Sequence, residues 1–245
     1  MSCGAARRPH FDHLFIRHTM LHTLMTGALV ALTTMPDLET TCQQLDAASR
    51  RLPETTAPER MEELEGLAWW IAQQEEQAPL VFICTHNSRR SHIGQILSQA
   101  AAAHYGLDHV RTFSGGTEVT AFNPRAVRAL RELGVGIVEQ EVGSLANVRY
   151  LVALQPSAPS VVAFSKHYSD PANPQSGFAA VMTCAEADGA CPLVFGAAAR
   201  FSVPYVDPKA SDGTDREAEV YRERALQIGT EMFYVMRRAA ELRGS

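Results

Sequence analysis

Leu80-Val81-Phe82-Ile83-Cys84-Thr85-His86-Asn87-Ser88-Arg89-Arg90-Ser91 is the stretch on which the fold turns. Its first five residues are apolar without alternation, as in a parallel strand buried on both faces. A polar turn follows, and an amphipathic helix runs from Ser91 to about Tyr105. A cysteine thus leaves a strand, and an arginine stands six positions later where a helix opens. Backbone N–H groups of such a loop can point inward and cradle an anion at the positive helix end. Thr85, His86, Asn87, Ser88, Arg89 and Arg90 are the candidate oxyanion-binding residues. The same field favours the thiolate of Cys84, the nucleophilic form. Arg90 can grip two oxygens of a tetrahedral oxyanion in a planar fork, and Ser91 can donate to the sulfur. Asn87 tolerates the left-handed backbone that a tight loop requires. The spacing alone is weak in an arginine-rich chain; the strand before it and the helix start after it make it a site.

Outward from this stretch the pattern alternates. Val110 to Ser114 reads as a second strand. Asn123-Pro124 reads as an N-cap and first-turn proline opening a helix to Leu133, closed by Gly134. Val148 to Leu154 and Val161 to Phe164 look like strands joined across residues 155–160. Phe178 to Thr183 is another buried strand, and Phe201 to Val206 a short one ending at Asp207-Pro208. A capping-box pattern, Thr214 to Glu217, opens a last helix reaching about Leu242. Strands alternating with helices imply an α/β protein with a parallel sheet of about four strands flanked by helices, in flavodoxin-like layering. In such sheets chemistry gathers at the carboxyl ends of strands. Cys84, Ser114, Cys184 and Asp207 all fall at expected strand ends.

The chain has 245 residues, 46% hydrophobic and 20% charged, which suits one globular domain with extensions. The formal net charge of −5 leaves no basic field pointing to nucleic acid. The five cysteines Cys3, Cys42, Cys84, Cys184 and Cys191 are odd in number and scattered, against a secreted disulfide framework. Arg7 and Arg8 precede an apolar run, Leu21 to Leu32, that lacks a cleavage pattern and is too short to cross a bilayer. Residues 1–36 read as a disordered tail, 37–78 as a helical N-terminal extension, and 79–245 as the catalytic domain with a hairpin-like insertion near 139–177. A cytoplasmic protein without membrane or nucleic-acid partners is expected. Trp69 and Trp70 read as packing that extension onto the domain. His86, His92, His104 and His109 are irregularly spaced and read as solvated or satisfied, so no metal site is expected.

From Leu80 to Met236 the chain resembles the low-molecular-weight tyrosine phosphatases and the thioredoxin-coupled arsenate reductases that share their fold. The likeness rests on the C-x5-R-S loop from Cys84 to Ser91, on Ser114-Gly115-Gly116-Thr117, on Asn123-Pro124 and on Asp207-Pro208. It implies that Asp207 is the general acid, protonating the leaving oxygen and then activating water. A second segment, Cys184-Ala185-Glu186-Ala187-Asp188-Gly189-Ala190-Cys191-Pro192, looks like the arsenate-reductase loop of resolving cysteines. The resemblance then implies that Cys84 attacks arsenate and Cys184 attacks Cys84. Cys191 attacks Cys184 in turn, leaving a disulfide for thioredoxin to reduce. Set against this, Cys184 can be read as a buried strand-end cysteine and Cys191 as a loop thiol, but two cysteines in the expected place, with Asp188 and Pro192 also matching, favour the redox reading.

His86 stands where the reductases usually have glycine, and Arg89 where they have cysteine; both read as side chains at the mouth of the loop. The leading expectation is an arsenate reductase with a three-cysteine relay, using a thioredoxin-type reductant and no bound cofactor. The alternatives are a phosphatase acting through a cysteinyl-phosphate and a non-catalytic oxyanion- or thiol-sensing module.

Overall fold

Strand β1, Ala78–Cys84, is the axis of a four-stranded sheet in a computed structural model that describes residues 37–144, 146–154, 160–190 and 193–244. Its side chains alternate between two cores. Leu80 and Phe82 enter the main core, while Val81 and Ile83 enter a smaller one on the other face. Both faces are covered, so the run shows no polar alternation in sequence. Strands β2 (Val110–Gly116), β6 (Phe178–Met182) and β7 (Ala197–Ser202) complete the sheet in the order β2-β1-β6-β7, all pairs parallel. The expected four-stranded α/β class is borne out.

Helix α4 (Arg90–His104) follows β1 and is buried along most of its length, between the sheet and the long helix α7 (Glu217–Gly244). Helices α1 (Leu38–Ser49), α2 (Leu52–Thr55) and α3 (Pro58–Ala72) form the helical N-terminal region, packed on α7. Trp70 is buried there, but Trp69 is 58% exposed. Neighbouring residues on a helix point about 100° apart, so only one of the pair can face α7. Helix α5 (Pro124–Glu132) starts as its sequence requires: Asn123 Oδ1 accepts from the Arg125 N–H at 2.9 Å, and Gly134 ends it at φ 84°.

Three readings are corrected. The hairpin-like insertion is a three-stranded antiparallel sheet of β3 (Gly136–Ser144), β4 (Asn147–Ala153) and β5 (Val161–Ala163). Strand β3 escaped notice because Val138 faces solvent and Glu139, Gln140 and Glu141 follow it. The last parallel strand lies four residues earlier than expected, since Pro204 has no N–H to give a ladder. The chain beyond it still follows β6, through Val203 N–H to Met182 O and Tyr205 N–H to Thr183 O. The capping box at Thr214 is not formed. The Thr214 hydroxyl donates to Ser211 O, and Glu217 accepts from Gly213 N–H and pairs with Arg125 and Arg128. The expected tail, 1–36, and Cys191 lie outside the described residues. Among the described residues no helix is long and apolar enough to cross a membrane.

Candidate active site

The strand order reverses at β1, and in such sheets the crevice opens outside the carboxyl ends of the strands beside that point. Cys84 ends β1, and Cys184 follows β6 by two residues. Ile83 is in register with Met182, and Thr183 donates to Ile83 O through both its N–H (2.8 Å) and its hydroxyl (2.9 Å). The two cysteines therefore emerge side by side. Cys184 Sγ lies 3.5 Å from Thr85 Oγ1, and both cysteines are free and buried. The short helix α6 (Ala185–Ala190), read in sequence as part of an acidic loop, follows Cys184 directly. Asp188, within α6, is held by Arg200 and by the Ser202 hydroxyl at 2.8 Å.

The loop after Cys84 turns its carbonyls outward. Thr85 O accepts from Glu118 N–H (2.8 Å), Ser88 O from Asn123 N–H (2.9 Å), and His86 O from the hydroxyls of Thr120 and Ser165. No backbone N–H from Thr85 through Ser91 donates to an acceptor among the described residues, and no side chain caps α4. Unpaired N–H groups of this kind at a helix start form an anion-binding concavity. Asn87 makes the reversal at φ 42° and is wholly buried. Its Nδ2 donates to Ser91 Oγ (2.9 Å), which lies 3.1 Å from Cys84 Sγ, and its Oδ1 accepts from the Lys166 N–H. A Cβ on Gly116 would stand 2.7 Å from both Thr85 O and Asn87 N, so Gly116 is a steric requirement of the loop, while a Cβ on Gly115 would meet the Tyr168 backbone.

Arg90 is buried. Its NH1 donates to Tyr205 O and its NH2 to Asp207 Oδ2, each at 2.9 Å, while its Nε has no partner among the described residues. Tyr205 is held in turn by Glu231, which accepts from its hydroxyl and from Arg60 of α3. The N-terminal helices thus reach the loop arginine through one tyrosine. Arg89, expected at the mouth, is instead buried, with Nε on Asp207 Oδ1 at 2.7 Å and NH2 on Oδ2 at 3.1 Å. Burial of Asp207 opposes its ionisation, but these bonds, the Lys209 N–H and the nearby Arg90 charge hold its carboxyl below the usual range.

His86 is half-exposed beside Glu118, at 3.4 Å. Ser114 does not reach the site. Strand β2 runs on to Gly116, and Ser114 Oγ meets Nδ1 of buried His92 at 3.1 Å. Burial and the nearby Lys166 charge hold that imidazole well below its usual pKa. Sequence reading missed Tyr205, Ser165 and Lys166, whose parts are played by backbone groups or by a loop distant in the chain.

Residues 79–155 match the family model described as low molecular weight phosphotyrosine protein phosphatase. The arsenate reductase of Bacillus licheniformis is 27% identical over 145 residues, 59% of this chain and 84% of that protein. The arsenate reductase of Shouchella clausii is 26% identical over 143 residues, 56% and 79% of the two chains. Among solved structures, the Corynebacterium glutamicum thioredoxin-dependent arsenate reductase is 20% identical at a TM-score of 0.34, covering 78% of this chain and 80% of that one. The resemblance drawn from the motifs is borne out, as is the expectation of a cysteine-dependent enzyme of the phosphatase and arsenate reductase kind.

Proposed function

For a chain related to the low-molecular-weight phosphatases through residues 79–155, we propose an arsenate reductase in which thiols act in turn on an oxyanion loop. The observation that carries this reading is the emergence of Cys84 and Cys184 from adjacent strands at the switch point, with Cys184 Sγ 3.5 Å from Thr85 Oγ1. Arsenate enters the concavity of N–H groups from Thr85 to Ser91, and Arg90 Nε supplies a further donor. The Cys84 thiolate attacks arsenic(V), and one arsenate oxygen leaves as water. The Cys184 thiolate then attacks Cys84 Sγ. The sulfur–arsenic bond breaks with its electron pair going to arsenic, which leaves as arsenite. Two thiols have lost two electrons, and arsenic has gained them. Cys191 attacks Cys184, frees Cys84, and leaves a Cys184–Cys191 disulfide for an external dithiol of the thioredoxin type. Buried Cys184 requires α6 to shift during the exchange.

One observation favours the phosphatase alternative: Asp207 already stands on the loop arginine, where an acid for an ester leaving group is needed. Two arginines hold it ionised in the free protein, which opposes that role. The test is incubation with arsenate, thioredoxin, thioredoxin reductase and NADPH. Arsenite formed in step with NADPH oxidation is the expected result. Rapid aryl phosphate hydrolysis with no arsenite would replace this reading by the phosphatase.

A further inference from the structure

A cavity of about 590 Å³ lies away from Cys84, between α4, β2 and the segment that follows β5. Its size is that of a small-molecule site. Phe113, Phe164, Val161 and Val162 give it apolar walls, and Arg111, Arg149 and Lys166 bring three cations against one carboxylate, Asp170. Lys166 is 96% buried by its 4% exposure, yet among the described residues no carboxylate lies within ion-pair distance of its Nζ. Burial pushes its ammonium down to about 8, with Asp170 and Arg149 acting in opposite directions. Nζ sits 4.8 Å above the Phe164 ring and the Arg149 guanidinium 4.2 Å from it, so one aromatic ring bears two cations that have no ion pair among the described residues. Gln95 also lines the cavity, and its Oε1 is buried with no hydrogen bond of good geometry among the described residues. A buried charge without a partner is costly, so a ligand that pairs with it gains binding energy.

We propose that this cavity binds a small organic oxyanion with a planar apolar body, and that the catalytic loop reads its occupancy through Lys166. The head group meets Lys166 and Arg149, and the body lies along Phe113, Phe164 and Val162. The link to chemistry is short. Lys166 N–H donates to Asn87 Oδ1 at 2.9 Å, Asn87 Nδ2 to Ser91 Oγ, and Ser91 Oγ lies 3.1 Å from Cys84 Sγ. On the other side, Lys166 O accepts from Gly116 N–H at 2.9 Å.

The test uses the full chain and the fluorescent sulfonate 8-anilinonaphthalene-1-sulfonate. Saturable binding at one site is expected, with displacement by 1-naphthoate but not by inorganic phosphate, which competes for the Cys84 loop. Lys166→Met and Arg149→Ala should each weaken binding at least tenfold. On the parent protein, the neutral analogue 1-naphthalenemethanol should compete at least tenfold less well than 1-naphthoate, a comparison independent of any variant's folding. Non-saturable binding, equal competition by the two analogues, or displacement by inorganic phosphate would overturn the site. Iodoacetamide labelling of Cys84 should change at least twofold in rate when 1-naphthoate saturates; an unchanged rate would overturn the coupling. None of these readouts requires arsenate turnover, so the site stands or falls apart from the proposed reaction.

Discussion

Arg89 grips the carboxylate of Asp207 side-on, Nε to Oδ1 at 2.7 Å and NH2 to Oδ2 at 3.1 Å, across 118 residues of chain. The pair ties the oxyanion loop to the segment after β7. Arg89→Met removes both bonds and leaves Asp207 half-buried with Arg90 and the Lys209 N–H. A loss of about 2 kcal/mol is expected at pH 7, in the range for hydrogen bonds to charged groups. Because the folded carboxyl is held below its ordinary 3.8, its contribution is present above that value and lost as pH falls through the folded one. Urea unfolding at pH 7 and at about pH 3 measures it; a deficit of equal size at both would show that the charge is not the source.

Arg90→Lys keeps a positive charge but loses the planar fork that now spans Tyr205 O and Asp207. A drop of about a hundredfold in kcat/KM is expected, as for the loss of one oriented transition-state donor. Steady-state kinetics with arsenate and with an aryl phosphate reads it. A near-parental value for both substrates would remove Arg90 from the oxyanion site.

The relay predicts different trapped species for different cysteines. Cys84→Ser should abolish turnover, since a serine hydroxyl is scarcely ionised where a thiolate is needed. Without Cys184, arsenic should remain on Cys84 as an adduct; without Cys191, a Cys84–Cys184 disulfide should accumulate. Intact-mass and peptide-mass analysis after acid quenching identifies each. Parental arsenate reduction by both the Cys184→Ser and Cys191→Ser proteins would refute the relay.

Gly116→Ala places a methyl 2.7 Å from Thr85 O and Asn87 N and 2.5 Å from Glu118 O, all backbone atoms that cannot swing aside. The loop should shift by a fraction of an ångström while the sheet, whose core lies elsewhere, persists. Activity should fall about a hundredfold, the scale of a small misplacement of reacting groups, with far-ultraviolet circular dichroism unchanged. Full activity would mean that the loop has room the geometry does not show.

Lys166→Met should stabilise the protein at pH 7. Folding depresses the ammonium from 10.5 to about 8, worth about 3 kcal/mol against the folded state. Both folded and unfolded lysines are charged at pH 7, so the full cost applies there. It is relieved as pH rises through 8 and is gone above 10.5. The variant's advantage in thermal unfolding should therefore shrink between those values. An advantage independent of pH would assign the gain to packing rather than to charge.

What the sequence determined by itself is local. The unbroken apolar run from Leu80 made β1 legible because burial on both faces removes polar alternation. Cys84, Arg90 and Ser91 were legible because a strand end, a turn and a helix start leave their marks within a dozen residues. The Asn123-Pro124 cap was readable for the same reason. Tertiary structure alone decided the rest. It turned Arg89 inward onto Asp207, placed Tyr205 O on Arg90, and set Cys184 beside Thr85 through a strand pairing of residues about a hundred positions apart. It also paired Ser114 with His92 and left Lys166 buried with no ion pair among the described residues. These contacts follow from where strands dock and which carbonyls turn outward, and they carry no signal in neighbouring residues. Local propensity acts over a turn or two of chain, whereas ion pairs and backbone acceptors depend on distances that only the folded packing sets.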